Sequence, residues 1–221
     1  MTRSGGSHTL WDWPVRLTHW LLVVLLPLAW WTSEEGEMEW HARVGYTILV
    51  LVVARLIWGL LGSRHARFTD FLAGPRAIIN YLSTGGSPTL GHNPLGAWSV
   101  IALLGLLLVQ ATSGLFNTDD ILFNGPFYYA ASSDVRNFLG EVHVWAFDAL
   151  LVFVALHISA IAYYQLVKRE ALIRAMTAGS ANGKTGVESP KPLWWAVLIW
   201  TALGLLLWWG ISQAPKPPPL W

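Results

Sequence analysis

Five apolar segments, each about as long as a membrane-spanning helix, constrain this chain more than any other feature of its sequence. They cover approximately residues 15–32, 41–61, 95–116, 138–167 and 193–211. A helix needs about 20 predominantly apolar residues to cross the hydrocarbon core of a bilayer, and no alternating pattern typical of strands competes. The sequence therefore predicts an all-α membrane protein with five transmembrane helices.

The composition supports a membrane environment. Hydrophobic residues make up 54% of the 221 residues and charged residues only 12%, whereas a typical soluble domain is about 25% charged. Many of the 15 Trp residues lie near the ends of the apolar segments, as in the aromatic belts at membrane interfaces. The expected surroundings are membrane lipid, and the net charge of +1 gives no reason to expect a nucleic-acid partner.

Cysteine is absent from the chain. This absence excludes disulfides, thiolate metal sites, iron–sulfur clusters and the covalent attachment of c-type haem through a C-x-x-C-H motif. Any haem in this protein would therefore be held without a covalent link, through His or Met side chains.

The connections between the apolar segments alternate in charge. Basic residues lie in the N-terminal segment and in the second and fourth connections: Arg3, Arg16, Arg64, Arg67, Arg76, Lys168, Arg169, Arg174, Lys184 and Lys191. Acidic residues dominate the first and third connections: Glu34, Glu35, Glu37, Glu39, Asp119, Asp120 and Asp134. Because loops rich in Lys and Arg stay in the cytoplasm, we expect the N-terminus to lie on the cytoplasmic side of the membrane and the C-terminus on the outer side.

These features predict five parts along the chain. Residues 1–14 form a cytoplasmic N-terminal segment, and residues 15–175 form a four-helix bundle. Residues 176–192, rich in Gly, Ser, Lys and Pro, form a cytoplasmic linker that is expected to be flexible. Residues 193–212 form a fifth transmembrane helix without ionisable side chains, which is expected to serve packing or partner docking. Residues 213–221 form a proline-rich outer tail.

Four histidines lie in or at the edges of the apolar segments: His19, His41, His143 and His157. Ionisable groups inside membranes are costly and rare, so each indicates a function. His143 and His157 are fourteen residues apart, close to four helical turns, and therefore share one helix face about 21 Å apart along the axis. One helix thus presents a potential metal ligand near each side of the bilayer.

The predicted topology matches the histidines in depth. His19 and His157 fall toward the cytoplasmic side, and His41 and His143 toward the outer side. Two imidazoles on facing helices can hold a haem iron between them, so the bundle is expected to hold two haems. A single His at a helix end is more commonly an interfacial polar residue, but two pairs that agree in depth favour ligation. The remaining histidines are expected to be solvated: His8, His65 and His92.

Three further residues are candidates for cofactor binding, each with a simpler alternative. Arg55 lies fourteen residues after His41 and predicts either a contact with a haem propionate or snorkelling to the inner interface. Arg16 shares the helix face of His19 and predicts the same contact, or marks the inner boundary. Gly45, one turn after His41, allows close approach of a flat macrocycle or of another helix. Three polar side chains lie near the outer end of the third helix: Gln110, Thr112 and Ser113. They could form hydrogen bonds between helices or to a quinone carbonyl, and the sequence does not decide between the two.

The chain resembles the prokaryotic cytochrome b-561 family, which includes the cytochrome b subunits of nickel–iron hydrogenases. The matching stretches are Trp11-Asp12-Trp13-Pro14-Val15-Arg16-Leu17-Thr18-His19-Trp20, His41-Ala42-Arg43-Val44-Gly45-Tyr46, Arg55-Leu56-Ile57-Trp58-Gly59, and Glu141-Val142-His143 followed by His157. The resemblance implies two b haems ligated by the four histidines and electron exchange with membrane quinone. The fifth helix, which the smallest members lack, argues for a subunit that binds a partner.

The leading functional hypothesis is a transmembrane electron carrier between quinone and a redox protein at the periplasmic face, either a c-type cytochrome or a hydrogenase-like protein. The first and third connections carry seven acidic residues and one basic residue, which favours a lysine-rich cytochrome because such a patch steers a basic partner. Homo-oligomerisation is compatible with the many apolar side chains.

Two alternatives differ in class. Some members of the family oxidise superoxide and reduce quinone, but an anionic substrate requires positive charge that the acidic outer connections lack. A haem-free transporter or membrane anchor could use the histidines as proton relays or metal ligands. That alternative is disfavoured because no Cys, Asp or Glu is expected at the same depth to complete a metal site.

Overall fold

The computed structural model describes residues 9–84, 93–180, 186 and 188–217. Within these residues the protein is helical, apart from an isolated antiparallel bridge between Thr118 and Asn124. The helices are α1 (Trp13–Glu34), α2 (Met38–Leu61), α3 (Phe68–Phe71), α4 (Pro75–Thr84), α5 (Pro94–Gly114), α6 (Ser133–Leu166), α7 (Leu172–Ala178) and α8 (Leu193–Ser212).

Five of these helices, α1, α2, α5, α6 and α8, are long and apolar enough to cross a membrane. This confirms the prediction of an all-α protein with five membrane-spanning helices. The short helices α3, α4 and α7 were not predicted, and α6 begins five residues earlier than its apolar segment. Apolarity reports the stretch in contact with lipid, whereas helical hydrogen bonding continues into polar residues beyond the membrane.

Polar caps set the beginning of two spanning helices. The Asp12 side chain accepts a hydrogen bond from the Val15 amide at 3.1 Å and caps α1. The Asn93 side chain accepts one from the Gly96 amide at 2.7 Å and caps α5. Both helices have Pro in the first turn, where its missing N–H is not needed. Each helix therefore begins where the sequence supplies a side-chain oxygen followed by Pro.

The helices pack in the order α1, α2, α5, α6, with α2 on both α1 and α5 and the most extensive contact between α5 and α6. The central cluster of buried side chains comes from α2, α5 and α6: Val44, Ile48, Val52, Leu104, Leu107 and Leu150. In the part of the chain that the structure describes, α1 and α6 share no comparable packing. The row of four helices therefore has α1 and α6 at its two margins.

Helix α8 packs against α2 and also contacts α1. Its Ala196 is buried in a cluster with Trp11, Val15 and Trp58. The fifth spanning helix is therefore attached to the α1–α2 side of the bundle, and most of its remaining surface is exposed.

The bundle has two chemically different ends. The end formed by the α1–α2 turn and the α5–α6 connection carries the acidic residues named above, and we call it the acidic end. The opposite end, formed by the chain before α1, the α2–α5 connection and the α6–α8 connection, carries most of the Lys and Arg residues. We call it the basic end.

A buried polar network joins the chain elements of the basic end. Asp12 is 4% exposed, and its Oδ2 accepts a hydrogen bond from Trp58 Nε1 at 2.8 Å. Arg55, also buried, donates from Nη1 to the Ala66 carbonyl at 3.3 Å and lies over the Phe68 ring. The segment before α1 is thereby tied to α2, and α2 to the connection that follows it.

The chain before α8 is also held at the basic end where the structure describes it. Arg64 pairs with Glu188 at 2.9 Å and with Asp70 at 3.5 Å, and these carboxylates, Glu188 most strongly, raise the pKa of Arg64. The Lys191 amide donates to Ser63 Oγ at 2.9 Å. These described parts of the linker contact the α2–α3 connection directly.

His65 is not solvated, contrary to the prediction. It is 9% exposed, and its Nδ1 lies 2.9 Å from an Asp70 carboxylate oxygen. The α2–α5 connection folds onto the basic end, and this buries the ring. His8 and His92, for which the same prediction was made, lie outside the described residues.

Replacing Asp12 with Ala is expected to destabilise the bundle by about 2 to 4 kcal/mol, because it removes a helix cap and leaves the buried Trp58 N–H without its acceptor. Titration of the purified protein with a denaturing detergent would measure the change in unfolding free energy. Asp12→Asn is the matched control, because it keeps a side-chain oxygen for the cap and should lose less. Equal stability of Asp12→Ala and the wild type would contradict this role.

Candidate functional site

The acidic end brings two of the predicted histidines together. His41 lies in the first turns of α2, and His143 lies in α6. Their ring centroids are 6.3 Å apart, and the ring planes meet at 81°. Both rings are partly buried. The structure therefore places two imidazoles from different helices close together, edge to face, at the acidic end of the bundle.

Backbone carbonyls orient both imidazoles of this pair. His41 Nδ1 donates to the Ala29 carbonyl at 2.8 Å, and His143 Nδ1 donates to the Gln110 carbonyl at 2.9 Å. A carbonyl oxygen only accepts hydrogen bonds, so Nδ1 carries the proton in each ring and Nε2 carries the lone pair. In the His143 ring this lone pair accepts a hydrogen bond from the Gln110 side-chain amide at 3.1 Å. This arrangement is the one by which proteins hold a metal-binding histidine in a single tautomer and orientation.

Gln110 leaves one buried polar atom without a partner in this site. Its Nε2 lies 3.1 Å from His143 Nε2, while its buried Oε1 has no hydrogen-bond partner. A buried acceptor without a donor costs about 1 to 3 kcal/mol. A metal at His143 Nε2 would therefore take the place of the Gln110 amide that now donates to this atom.

Two glycines shape the space around the pair. A Cβ atom at Gly114 would lie 2.9 Å from His143 Cε1, so α5 and α6 can approach at this level only because Gly114 has no side chain. At Gly45, one turn after His41, a Cβ atom would meet nothing within 4 Å. The α2 surface beside His41 is therefore open at position 45.

The second pair of predicted histidines lies toward the basic end. His19 of α1 and His157 of α6 are close enough for their rings to interact electrostatically. The buried Nδ1 of His19 has no hydrogen-bond partner. These two residues belong to the two helices at the margins of the row, α1 and α6.

The two predicted arginines lie at the basic end and bind protein groups there. Arg16 donates from Nε to the Met176 carbonyl at 3.2 Å, and its guanidinium lies 4.3 Å from the centre of the Trp13 ring. Arg55 bonds to the Ala66 carbonyl, as described above. Arg16 thus connects α1 with α7, and Arg55 contributes to the buried network beside α2.

The donor set fits a haem iron. With about 2 Å from a metal to an imidazole nitrogen, and about 1.1 Å from that nitrogen to the ring centroid, two rings on one metal have centroids about 6 Å apart. The 6.3 Å separation of the His41 and His143 rings matches this value. Among the described residues no three His, Cys, Asp or Glu side chains cluster around one point.

Five apolar helices with histidine pairs at two levels define the class of protein as a multi-pass membrane cytochrome of the b type. The comparisons with known proteins specify the family. The family model described as prokaryotic cytochrome b561 matches residues 10–179. The chain therefore belongs to the prokaryotic cytochrome b561 family, which confirms the resemblance found in the sequence.

Two curated relatives are each named a probable Ni/Fe-hydrogenase B-type cytochrome subunit. The relative from Bradyrhizobium diazoefficiens is 23% identical, over 80% of this chain and 87% of the relative. The relative from Rhodobacter capsulatus is 22% identical, over 82% of this chain and 84% of the relative. No solved structure matches the chain significantly.

Family membership together with the five spanning helices establishes a coarse function. The protein is a multi-pass membrane cytochrome of the b type, which binds haem b and transfers electrons. The haem supplies the one-electron chemistry, whereas the protein supplies binding, orientation and burial.

Proposed function

We propose that this cytochrome carries electrons across the membrane, between quinone in the bilayer and a redox protein at the acidic end, through two b haems. His41 and His143 would hold one haem, and His19 and His157 the other. The observation that carries the proposal is the facing pair of His41 and His143, with both Nδ1 atoms donating to carbonyls.

The described residues perform three tasks in this proposal. The Ala29 and Gln110 carbonyls hold the imidazoles with Nε2 deprotonated and increase their basicity, and the iron would replace the Gln110 amide at His143 Nε2. The apolar helices keep water from the pair, and burial tunes the reduction potential of a haem. Gly45 leaves space for the macrocycle, and Arg16 or Arg55 would bind a propionate at the basic end in exchange for a present carbonyl contact.

The two pairs are placed to move charge through the bilayer. His143 and His157 are separated by about 21 Å along α6 at 1.5 Å per residue, most of a hydrocarbon core about 30 Å thick. Residues 15–175 would form the di-haem domain, with α8 as an additional membrane helix. We also propose that the basic end faces the cytoplasm of a bacterial inner membrane, because Lys and Arg are retained there.

The proposed partner is a redox protein on the periplasmic side. The names of the two curated relatives favour a hydrogenase-like partner, whereas the acidic connections favour a basic c-type cytochrome. A hydrogenase-like partner would supply electrons to the haems, and a c-type cytochrome would receive them from quinol.

A haem count and a quinol assay on the purified protein test the proposal. We expect about two non-covalent b haems per chain by the pyridine haemochrome method, a b-type reduced-minus-oxidised spectrum, and reduction of the haems by a soluble quinol analogue. One haem per chain would contradict the two-pair arrangement. Two haems that no quinol reduces, and that no quinone reoxidises, would contradict the proposed substrate.

A further inference from the structure

The α5–α6 connection contains a short turn, residues 118–123, that is closed by its own hydrogen bonds. Asp119 Oδ1 accepts hydrogen bonds from the amides of Ile121, Leu122 and Phe123 at 2.9, 3.0 and 2.8 Å. These amides, that of Ile121 most strongly, lower the pKa of the Asp119 carboxyl. The Thr118 hydroxyl donates to the Phe123 carbonyl at 3.0 Å. The turn is therefore organised before anything binds to it.

Two large apolar side chains stand at the tip of this turn. Ile121 is 81% exposed and Leu122 is 92% exposed, the highest values among the large apolar side chains that the structure describes. Asp120, which directly precedes Ile121, adopts a positive φ of 58°. Asp tolerates this conformation better than most residues. The backbone of the turn thus directs two apolar side chains away from the protein.

The turn lies close to the His41–His143 pair. It follows α5, whose last residue Gly114 lies beside the His143 ring. Asn117, just before the turn, lies beside Gly140, where a Cβ atom would be 3.2 Å from its Oδ1. Gly140 is one helical turn from His143 on α6. A protein bound at the turn would therefore lie next to the haem proposed at the acidic end.

Exposed carboxylates lie at the same end of the bundle as the apolar tip. The exposed acidic residues of this end are Glu34, Glu35, Glu37, Glu39, Asp120, Asp134 and Glu141. The two nearby arginines are already engaged, since Arg43 pairs with Glu39 at 3.1 Å and Arg136 lies over the Tyr128 ring. An apolar tip at a negatively charged end is complementary to a partner with an apolar recess and a basic surface.

We propose that Ile121 and Leu122 anchor a lysine-rich soluble redox protein at the acidic end, with the exposed carboxylates of this end steering its approach. This inference rests on the proposed electron-transfer function. Insertion of the tip into lipid is disfavoured because Asp119 and Asp120 flank it, and Asp119 is held in its charged form. A loop that inserts into an anionic membrane surface requires basic flanks.

The test measures electron transfer from the haem-loaded full chain in lipid nanodiscs to a lysine-rich mitochondrial-type cytochrome c used as the probe. The Ile121→Ser/Leu122→Ser double variant is expected to lower the second-order rate constant at least tenfold, with haem content and quinol reduction unchanged. The control is Ile173→Ser on α7, an exposed apolar residue at the basic end, which should change the rate less than twofold. Asp119→Ala, which loosens the turn but keeps both anchors, should give an intermediate rate.

Three results would overturn the docking proposal. The first is an unchanged rate constant in the double variant. The second is quenching of a Leu122→Trp fluorophore by brominated lipids, which would place the tip in the bilayer. The third is quinol-reduced wild-type protein that fails to reduce the probe at low salt. A wild-type protein without haem, or with haem that quinol does not reduce, would instead contradict the proposed function, and the two failures are therefore distinguishable.

Discussion

Replacing His143 with Leu is expected to lower the haem content from about two haems per chain to about one, because one imidazole cannot hold the iron in a bis-histidine site. His41 would remain bonded to the Ala29 carbonyl, without a partner across the gap. The His19–His157 pair at the basic end should keep its haem. The pyridine haemochrome of purified protein measures the loss, and low-temperature difference spectra show which haem remains.

The matched control for this prediction is Trp145→Leu. Trp145 lies two residues from His143 on the same helix, and its side chain is 72% exposed on the lipid-facing surface, so its loss removes an aromatic ring without touching the pair. Full haem content is expected in this variant. If His143→Leu kept both haems, or if it lost both while folding normally, the assignment of one haem to each pair would be wrong.

Gly45→Leu is expected to remove the haem of the acidic end by occupying its space. Nothing lies within 4 Å of a Cβ atom at position 45, so Leu should fit the haem-free protein without a clash and should favour the helix relative to Gly by about 1 kcal/mol. The haem content should fall by about half, because the side chain takes the space beside His41 that the macrocycle needs.

Gly204→Leu on α8 provides the control for the Gly45 variant. A Cβ atom at Gly204 also meets nothing within 4 Å, and α8 carries none of the four histidines. The same substitution there should leave the haem content unchanged. A Gly45→Leu protein with two haems of unaltered spectrum would mean that the opening beside His41 is not part of the cofactor site.

The helices differ in how well the sequence predicted them. The spanning helices α1, α2, α5, α6 and α8 follow from apolar length alone, because a bilayer requires about 20 such residues in a helix. The first turns of α6 were missed because they contain Ser133, Asp134 and Arg136. These residues are polar, so the apolar segment begins only after the helix has begun. Helices α3, α4 and α7 were missed because they are too short for a periodic pattern to stand out.

The candidate site also contains residues that the sequence predicted and residues that it did not. The four histidines were identifiable because ionisable side chains are rare in apolar segments. The role of Gln110 was left open between an interhelical bond and a quinone contact, and the structure places it against His143. His65 was predicted to be solvated, and this was wrong. Its burial depends on how the α2–α5 connection, which contains both His65 and Asp70, folds onto the basic end.

The sequence by itself determined the membrane class, the five spanning helices, the charge difference between the two ends and the residues able to ligate a metal. These properties depend on side-chain chemistry and on spacing along single helices. Only the tertiary structure decided the orientation of the His41 and His143 rings, because the carbonyls of Ala29 and Gln110 that hold them belong to the backbone and leave no mark in the sequence. It also decided the partner of Arg55 and the exposure of Ile121 and Leu122, since both depend on how distant segments fold against one another.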